Sequence, residues 1–158
     1  MTLPSTMAAV LLTGHGGLDK LEYRTDVPVP QPRSDEVLIA VAAAGINNTD
    51  INTRIGWYSK SISADTNSTA ADDVARADED DASWSGVPLT FPRIQGGDVY
   101  GEIAAVGSDV DSSRIGQKVI VRNLMRHYVD RRPYECWTYG SDCDGGFAQF
   151  AIAPSSES

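Results

Sequence analysis

The chain has 158 residues, 41% of them apolar, with 22 acidic against 13 basic side chains and a formal net charge of −9. That length and apolar content suit one folded domain whose core needs no disulfide support. The negative charge disfavours nucleic acid and anionic membranes as partners, and no apolar run approaches the roughly 18 residues of a membrane-spanning helix.

Residues 7–13 are apolar and predict a first strand. Thr13-Gly14-His15-Gly16-Gly17 then reads as a turn that leaves His15 solvated. Residues 21–25 alternate apolar and polar, the pattern of a half-buried strand. Residues 27–32 contain Pro28, Pro30 and Pro32, each without a ladder donor, so they predict an extended surface linker. Residues 37–44 are continuously apolar and predict a strand buried on both faces. Gly45 breaks it. Asn47 or Asn48 caps a short helix running to about Arg54, and Gly56 ends that helix.

Residues 59–85 stand apart. They hold Asp65, Asp72, Asp73, Asp78, Glu79, Asp80 and Asp81 against Lys60 and Arg76. So few apolar residues predict an irregular acidic insertion, with Trp84 pinning its end to the body. Residues 99–106 predict the next strand, and residues 118–122 another after the Gly116 turn. Arg122, Arg126, Arg131 and Arg132 form a basic cluster near His127, read as a solvated face. Gly145-Gly146 precede a last alternating strand, residues 147–153. Short strands, many turns and one or two short helices make the chain mainly β, a barrel or sandwich. No βαβ alternation appears. Gly96, Gly97, Gly101 and Gly107 recur around one strand, as at a barrel corner that passes near a ligand.

Taken in order, these pieces resemble the N-terminal, catalytic domain of the medium-chain dehydrogenase/reductase superfamily. Gly45-Ile46-Asn47-Asn48-Thr49-Asp50 looks like its substrate-site turn. Pro92-Arg93-Ile94-Gln95-Gly96-Gly97-Asp98-Val99-Tyr100-Gly101-Glu102 looks like its signature. Ile115-Gly116-Gln117-Lys118-Val119 and Gly145-Gly146-Phe147-Ala148-Gln149-Phe150 fit its later strands. The resemblance spans nearly all of residues 1–158 except the acidic insertion, and it implies a GroES-like, partly open β-barrel. It implies one half of an NAD(P)-dependent oxidoreductase acting on an alcohol, a carbonyl or a conjugated double bond.

The resemblance also assigns roles. Zinc enzymes of the superfamily keep a Cys where this chain has Asn47, a His where it has Gly97, and an acid where it has Asp98. An amide and a glycine do not replace a thiolate and an imidazole on Zn²⁺, and Cys136 with Cys143 cannot close a four-cysteine lobe. Both cysteines are expected as thiols. Zinc is therefore not expected, and the chain is closer to the zinc-free, quinone-oxidoreductase-like branch, with NADP favoured over NAD. Thr49 and Asn47 become the candidate catalytic residues: a hydroxyl for proton relay and an amide donor to the substrate oxygen. Trp57, Tyr58 and Asp98 are candidate substrate contacts, and Asn48 a candidate contact to cofactor phosphates. Plainer roles exist for each. Asn47 and Asn48 could serve as helix caps, Trp57 and Tyr58 as packing, and Asp50 as a dipole-compensating first-turn acid.

No glycine-rich dinucleotide motif with strand and helix occurs within residues 1–158, and Gly14-x-Gly16-Gly17 lacks the spacing. The cofactor is expected to need a C-terminal Rossmann domain, and this chain alone is expected to bind none. The expected partners are a small-molecule substrate, that domain, and a second copy in a parent homodimer. The start of the chain lacks a secretory pattern, so the cytoplasm is the expected compartment. The rival reading is a lone barrel serving as a non-catalytic binding or interaction module.

Overall fold

In a computed structural model of the protein the described residues are 2–58, 88–129 and 132–157. The acidic insertion expected at 59–85, with Trp84, lies outside them. The architecture is mainly β. In chain order it comprises β1 (Thr6–Leu12), β2 (Leu21–Pro28), β3 (Glu36–Gly45), helix α1 (Asn48–Arg54), β4 (Arg93–Ile94), β5 (Asp98–Val106), β6 (Lys118–Ile120), β7 (Leu124–Val129), β8 (Arg132–Thr138) and β9 (Phe150–Pro154). Short 3₁₀ turns sit at Leu18–Lys20, Ser112–Arg114 and Ser155–Glu157.

The strands form three sheets, ordered β2-β1-β4, β6-β5-β3-β9 and β7-β8. They do not close into one continuous barrel, in keeping with the partly open form expected. Residues 147–149 stitch the first two sheets together. Val10 N–H donates to the Phe147 carbonyl at 2.8 Å, Gln149 N–H to Ala8 at 3.0 Å, and Val41 N–H to Gln149 at 2.9 Å.

β3 organises the core because its consecutive side chains point to opposite faces. Val37 and Ile39 join Val99, Ile103, Val119, Met125 and Tyr139 in one cluster. Leu38 joins Met7, Ala9, Val29 and Ile94 in the other. The strand is therefore buried on both faces at 37–39, as its composition predicts. It is not so throughout, because Ala42 and Ala43 are exposed where the chain leaves the core for the rim.

The proline stretch departs from expectation. β2 continues through Val27 and Pro28, paired with Met7 and Thr6. Pro28 is tolerated because β2 is an edge strand with one side free of ladder partners. β4 and the β7-β8 hairpin have no counterpart in the predicted elements. β4 is two residues long, and β7 begins inside a stretch whose charge masks its period. The last strand starts at Phe150 and not at Phe147, because residues 147–149 are spent on the seam.

Leu38 is fully buried between the two sheets. Leu38→Ala is expected to lower unfolding free energy by about 2–5 kcal/mol, the usual cost of a buried leucine with partial relaxation. Urea denaturation checks this, and a loss below about 1 kcal/mol would place Leu38 outside the working core.

Candidate active site

The site is built where β3 ends and β5 begins. Gly45 pairs with Asp98 at that end of the sheet, and Asn47 adopts extended backbone, φ −122° and ψ 158°, as the N-cap of α1. Asn47 N–H donates to Asp50 Oδ2 at 2.9 Å, the return half of a capping box. The Asn47 side-chain amide donates to Asp98 Oδ2. The other Asp50 oxygen, Oδ1, accepts from Gly96 N–H at 3.1 Å. Gln95 Nε2 donates to the Asp50 backbone carbonyl at 2.9 Å. The first turn of α1 is thus tied to the 95–96 segment through one residue.

Asp50 is 8% exposed, and no cation pairs with it among the described residues. Burial holds its carboxyl above the ordinary carboxylate range. The two backbone N–H donors oppose that rise, and the Asp98 charge adds to it. It is more than the dipole-compensating acid the sequence suggests.

The far end of α1 is also fastened. Gly56 takes φ 70°, the left-handed residue that closes a helix. Gly16 N–H donates to the Arg54 carbonyl at 2.9 Å, and the Arg54 guanidinium returns a bond to the Gly16 carbonyl. His15 is not the solvated turn residue expected. Its Nδ1 lies 2.9 Å from the Thr53 carbonyl, and its ring meets Phe91 edge-on at 5.0 Å. The glycine turn packs against the helix end and takes His15 with it.

Facing α1 is a cavity of about 270 Å³ lined by Thr49, Asp50, Thr53, Tyr58, Asn123, Leu124 and residues 138–141. The opposite wall is a tight turn. Thr138 N–H donates to Asp142 Oδ2 at 2.7 Å, and the Thr138 carbonyl accepts from Asp142 N–H at 2.9 Å. Tyr139 anchors this turn to the core, its phenol donating to the Ile152 carbonyl at 2.7 Å. Burial raises the phenol pKa far above its ordinary value. Thr138 and Ser141 are 7% and 5% exposed, and neither hydroxyl has a hydrogen-bond partner among the described residues.

Of the six candidate residues, Thr49 and Tyr58 line this cavity. Asn47 and Asp98 are brought together, but with each other and outside the cavity lining. Asn48 is exposed on α1, and Trp57 is exposed in the turn after it. Sequence reasoning missed Thr53, one turn after Thr49 on α1, and also Asn123, Thr138 and Ser141, which come from segments carrying no motif and reach Thr49 only through the fold. Among the described residues no group of three or more His, Cys, Asp or Glu could hold a metal. A Cβ at Gly97 would stand 2.7 Å from Asn123 Nδ2 and 3.2 Å from the Tyr139 carbonyl, so a side chain at position 97 would require the Asn123 side chain to shift. A second cavity of about 390 Å³ has Met7, Met125, Trp137, Cys143, Phe150 and Ile152 in its wall. Burial there pushes the Cys143 thiol up to about 11, which leaves it unreactive near neutral pH.

Residues 33–158 match the family model of the alcohol dehydrogenase GroES-like domain. The chain belongs to that family. A mitochondrial NAD(P)H oxidoreductase of Dictyostelium discoideum is 32% identical over 114 residues, 72% of this chain and 26% of that protein. Human quinone oxidoreductase is 28% identical over 147 residues, 93% of this chain and 31% of the relative. The crystal structure of a Sinorhizobium meliloti protein assigned as an alcohol dehydrogenase superposes with a TM-score of 0.77 at 42% identity, covering 98% of this chain and 40% of the other. This GroES-like domain therefore spans about a quarter to two fifths of the length of these relatives. No helix among its described residues is long and apolar enough to cross a membrane.

Asp50→Asn is expected to cost about 1–3 kcal/mol, since an amide turns one N–H donor toward its own NH₂. The pH dependence has a definite sign. With its folded pKa raised, Asp50 is tolerated best when protonated. Its contribution is most favourable below the unfolded value near 3.8 and falls as pH rises through the higher folded value. Melting temperatures from pH 3 to 7 should lose that component in Asp50→Asn. An unchanged profile and stability would remove Asp50 from the role described.

Proposed function

We propose that this domain is the substrate-binding half of an NAD(P)-dependent oxidoreductase that reduces a small carbonyl or conjugated-carbonyl compound without zinc. The observation that carries the reading is the cavity facing α1, which joins the Thr49 hydroxyl to a wall of neutral hydrogen-bond donors. Family membership and the likeness to quinone oxidoreductase support it. The Asn47 and Gly97 positions offer neither a thiolate nor an imidazole and do not fit a catalytic zinc.

A nicotinamide cofactor, NADP by the quinone-oxidoreductase likeness, supplies the hydride when its own binding domain is present. The chain's residues do the rest. The cavity holds the electrophilic carbon and excludes water. Donors in its wall stabilise the negative charge that develops on oxygen as the carbon–oxygen π bond opens. Thr49 passes its hydroxyl proton to that oxygen, or to the enolate's α-carbon, and regains one from solvent. Tyr58 forms one wall. Asn47 has one amide hydrogen committed to Asp98 and the other available to donate, and Trp57 and Asp98 are proposed as further substrate contacts. Asn48, exposed at the start of α1, would contact the cofactor phosphates. Pairing of two such enzymes as a homodimer and a cytoplasmic location belong to the same proposal.

Two measurements test it. After mild chelator dialysis the purified chain should hold far less than one zinc per chain; one equivalent by elemental analysis would overturn the zinc-free assignment. In an enzyme containing both halves, Thr49→Val should lower turnover about a hundredfold or more, the cost of roughly 3–4 kcal/mol for one lost transition-state donor. Cofactor affinity should hardly change, and Asn47→Ala should have a smaller effect. Unchanged turnover with a lowered melting temperature would reduce Thr49 to a helix-start residue.

A further inference from the structure

The cavity beside α1 holds several hydroxyls but one carboxamide, that of Asn123. Its backbone is fixed, because the Asn123 carbonyl accepts from Tyr139 N–H at 2.8 Å. Its side chain is fixed on one flank by Gly97, where the amide nitrogen occupies the space next to the bare Cα. Asn123 is half-buried and lines the cavity with Thr49. The hydrogen bonds of the described residues leave its amide hydrogens unspent.

A carboxamide differs from a hydroxyl in a way that matters here. A threonine hydrogen rotates to whichever acceptor is nearest, whereas the two N–H bonds of an amide point where its plane points. A donor held in place before charge develops needs no reorganisation when it does. We propose that the Asn123 carboxamide, together with the Thr49 hydroxyl, is the oxyanion-binding pair of this site, taking the volume that a metal-ligating side chain at position 97 would need. The inference rests on the reading of the cavity as the carbonyl-binding site. It names the ligand class: an uncharged ketone or enone, small enough for about 270 Å³, with one oxygen directed between residues 49 and 123.

The test uses the purified chain and two probes of nearly equal shape, cyclohexanone and methylenecyclohexane. Binding is followed by backbone amide shifts, and the carbonyl of bound ¹³C-labelled cyclohexanone reports hydrogen bonding directly. The expected result is a preference for the ketone and a downfield carbonyl shift relative to a hydrocarbon solvent. In Asn123→Leu ketone affinity should fall about tenfold, the equivalent of one hydrogen bond of 1.4 kcal/mol. The downfield shift should shrink and affinity for methylenecyclohexane should hold. A side chain that only shaped the wall would change both affinities alike. If Asn123→Leu fails to fold, Asn123→Asp, which keeps the shape and removes the donors, should show the same selective loss. Ketone binding that Thr49→Val weakens but neither Asn123 variant alters would overturn this assignment and leave the cavity reading standing. If neither probe shifts the amides of Thr49, Tyr58 and Gly140, the cavity reading fails and this inference falls with it.

Discussion

A carboxylate kept out of water holds the site together. Asp50 accepts from the N–H of Asn47 on its own helix cap and from the N–H of Gly96 on the strand side. Burying a charge without a cation costs several kcal/mol, and two charge-assisted bonds to fixed N–H groups offset much of that. What remains is a geometric constraint. Thr49 precedes Asp50, and Gly97 follows Gly96, so the same bridge sets the distance between the hydroxyl on α1 and the opposite wall. Catalytic groups misplaced by about 1 Å can lose a hundredfold in rate. A bridge of two bonds from one residue is an economical way to prevent that drift.

The sheets supply the frame for the bridge. β3 feeds both core clusters through Val37, Leu38 and Ile39, and its pairing with β5 brings Gly45 beside Asp98. The β7-β8 hairpin shares few bonds with the main sheets. It is held through Met125 and Tyr139, both in the larger cluster, and through the Tyr139 phenol on β9. The 138–142 turn that follows β8 therefore faces α1 from a firm base, although the sheets do not close into one barrel.

The strands that could be read from the chain are those whose burial alternates or whose apolar run is unbroken. β1, β3, β5 and α1 with its Asn47 cap and Gly56 stop fall within a residue or two of expectation, because local chemistry decides them. β4 depends on a partner distant in sequence, and β7 and β8 pair only with each other in a charged stretch without clean alternation. Nothing in Arg93–Ile94 marks a strand until β1 lies alongside. The site divides the same way. Thr49 and Tyr58 are legible because they sit in or beside a motif. Asn123, Thr138 and Ser141 are not, since they reach the cavity only when the hairpin folds back. Asn47 shows the limit of motif transfer: its place in the turn was legible, but its amide's engagement by Asp98 depended on strand register.

The donor set bears on the direction of the chemistry. A metal ion lowers the pKa of a bound hydroxyl by direct Lewis-acid attraction, which favours taking hydride from an alcohol. Hydroxyl and amide donors stabilise an oxygen that is becoming negative, but they do little to strip a proton from a neutral alcohol. With Thr49 and Asn123 as donors, as proposed, the site would suit best acceptors whose oxyanion is weakly basic. Enolates from conjugated ketones and the anions of reduced quinones are such species; the alkoxide from a simple ketone is more basic and depends more on proton transfer from Thr49. The same logic explains the wall of neutral groups. A cation there would bind product oxyanions and slow their release, and a free carboxylate would repel the charge as it forms. Asp50, buried but bonded to two N–H groups, keeps the one carboxylate of the wall turned toward the backbone and away from the reacting oxygen.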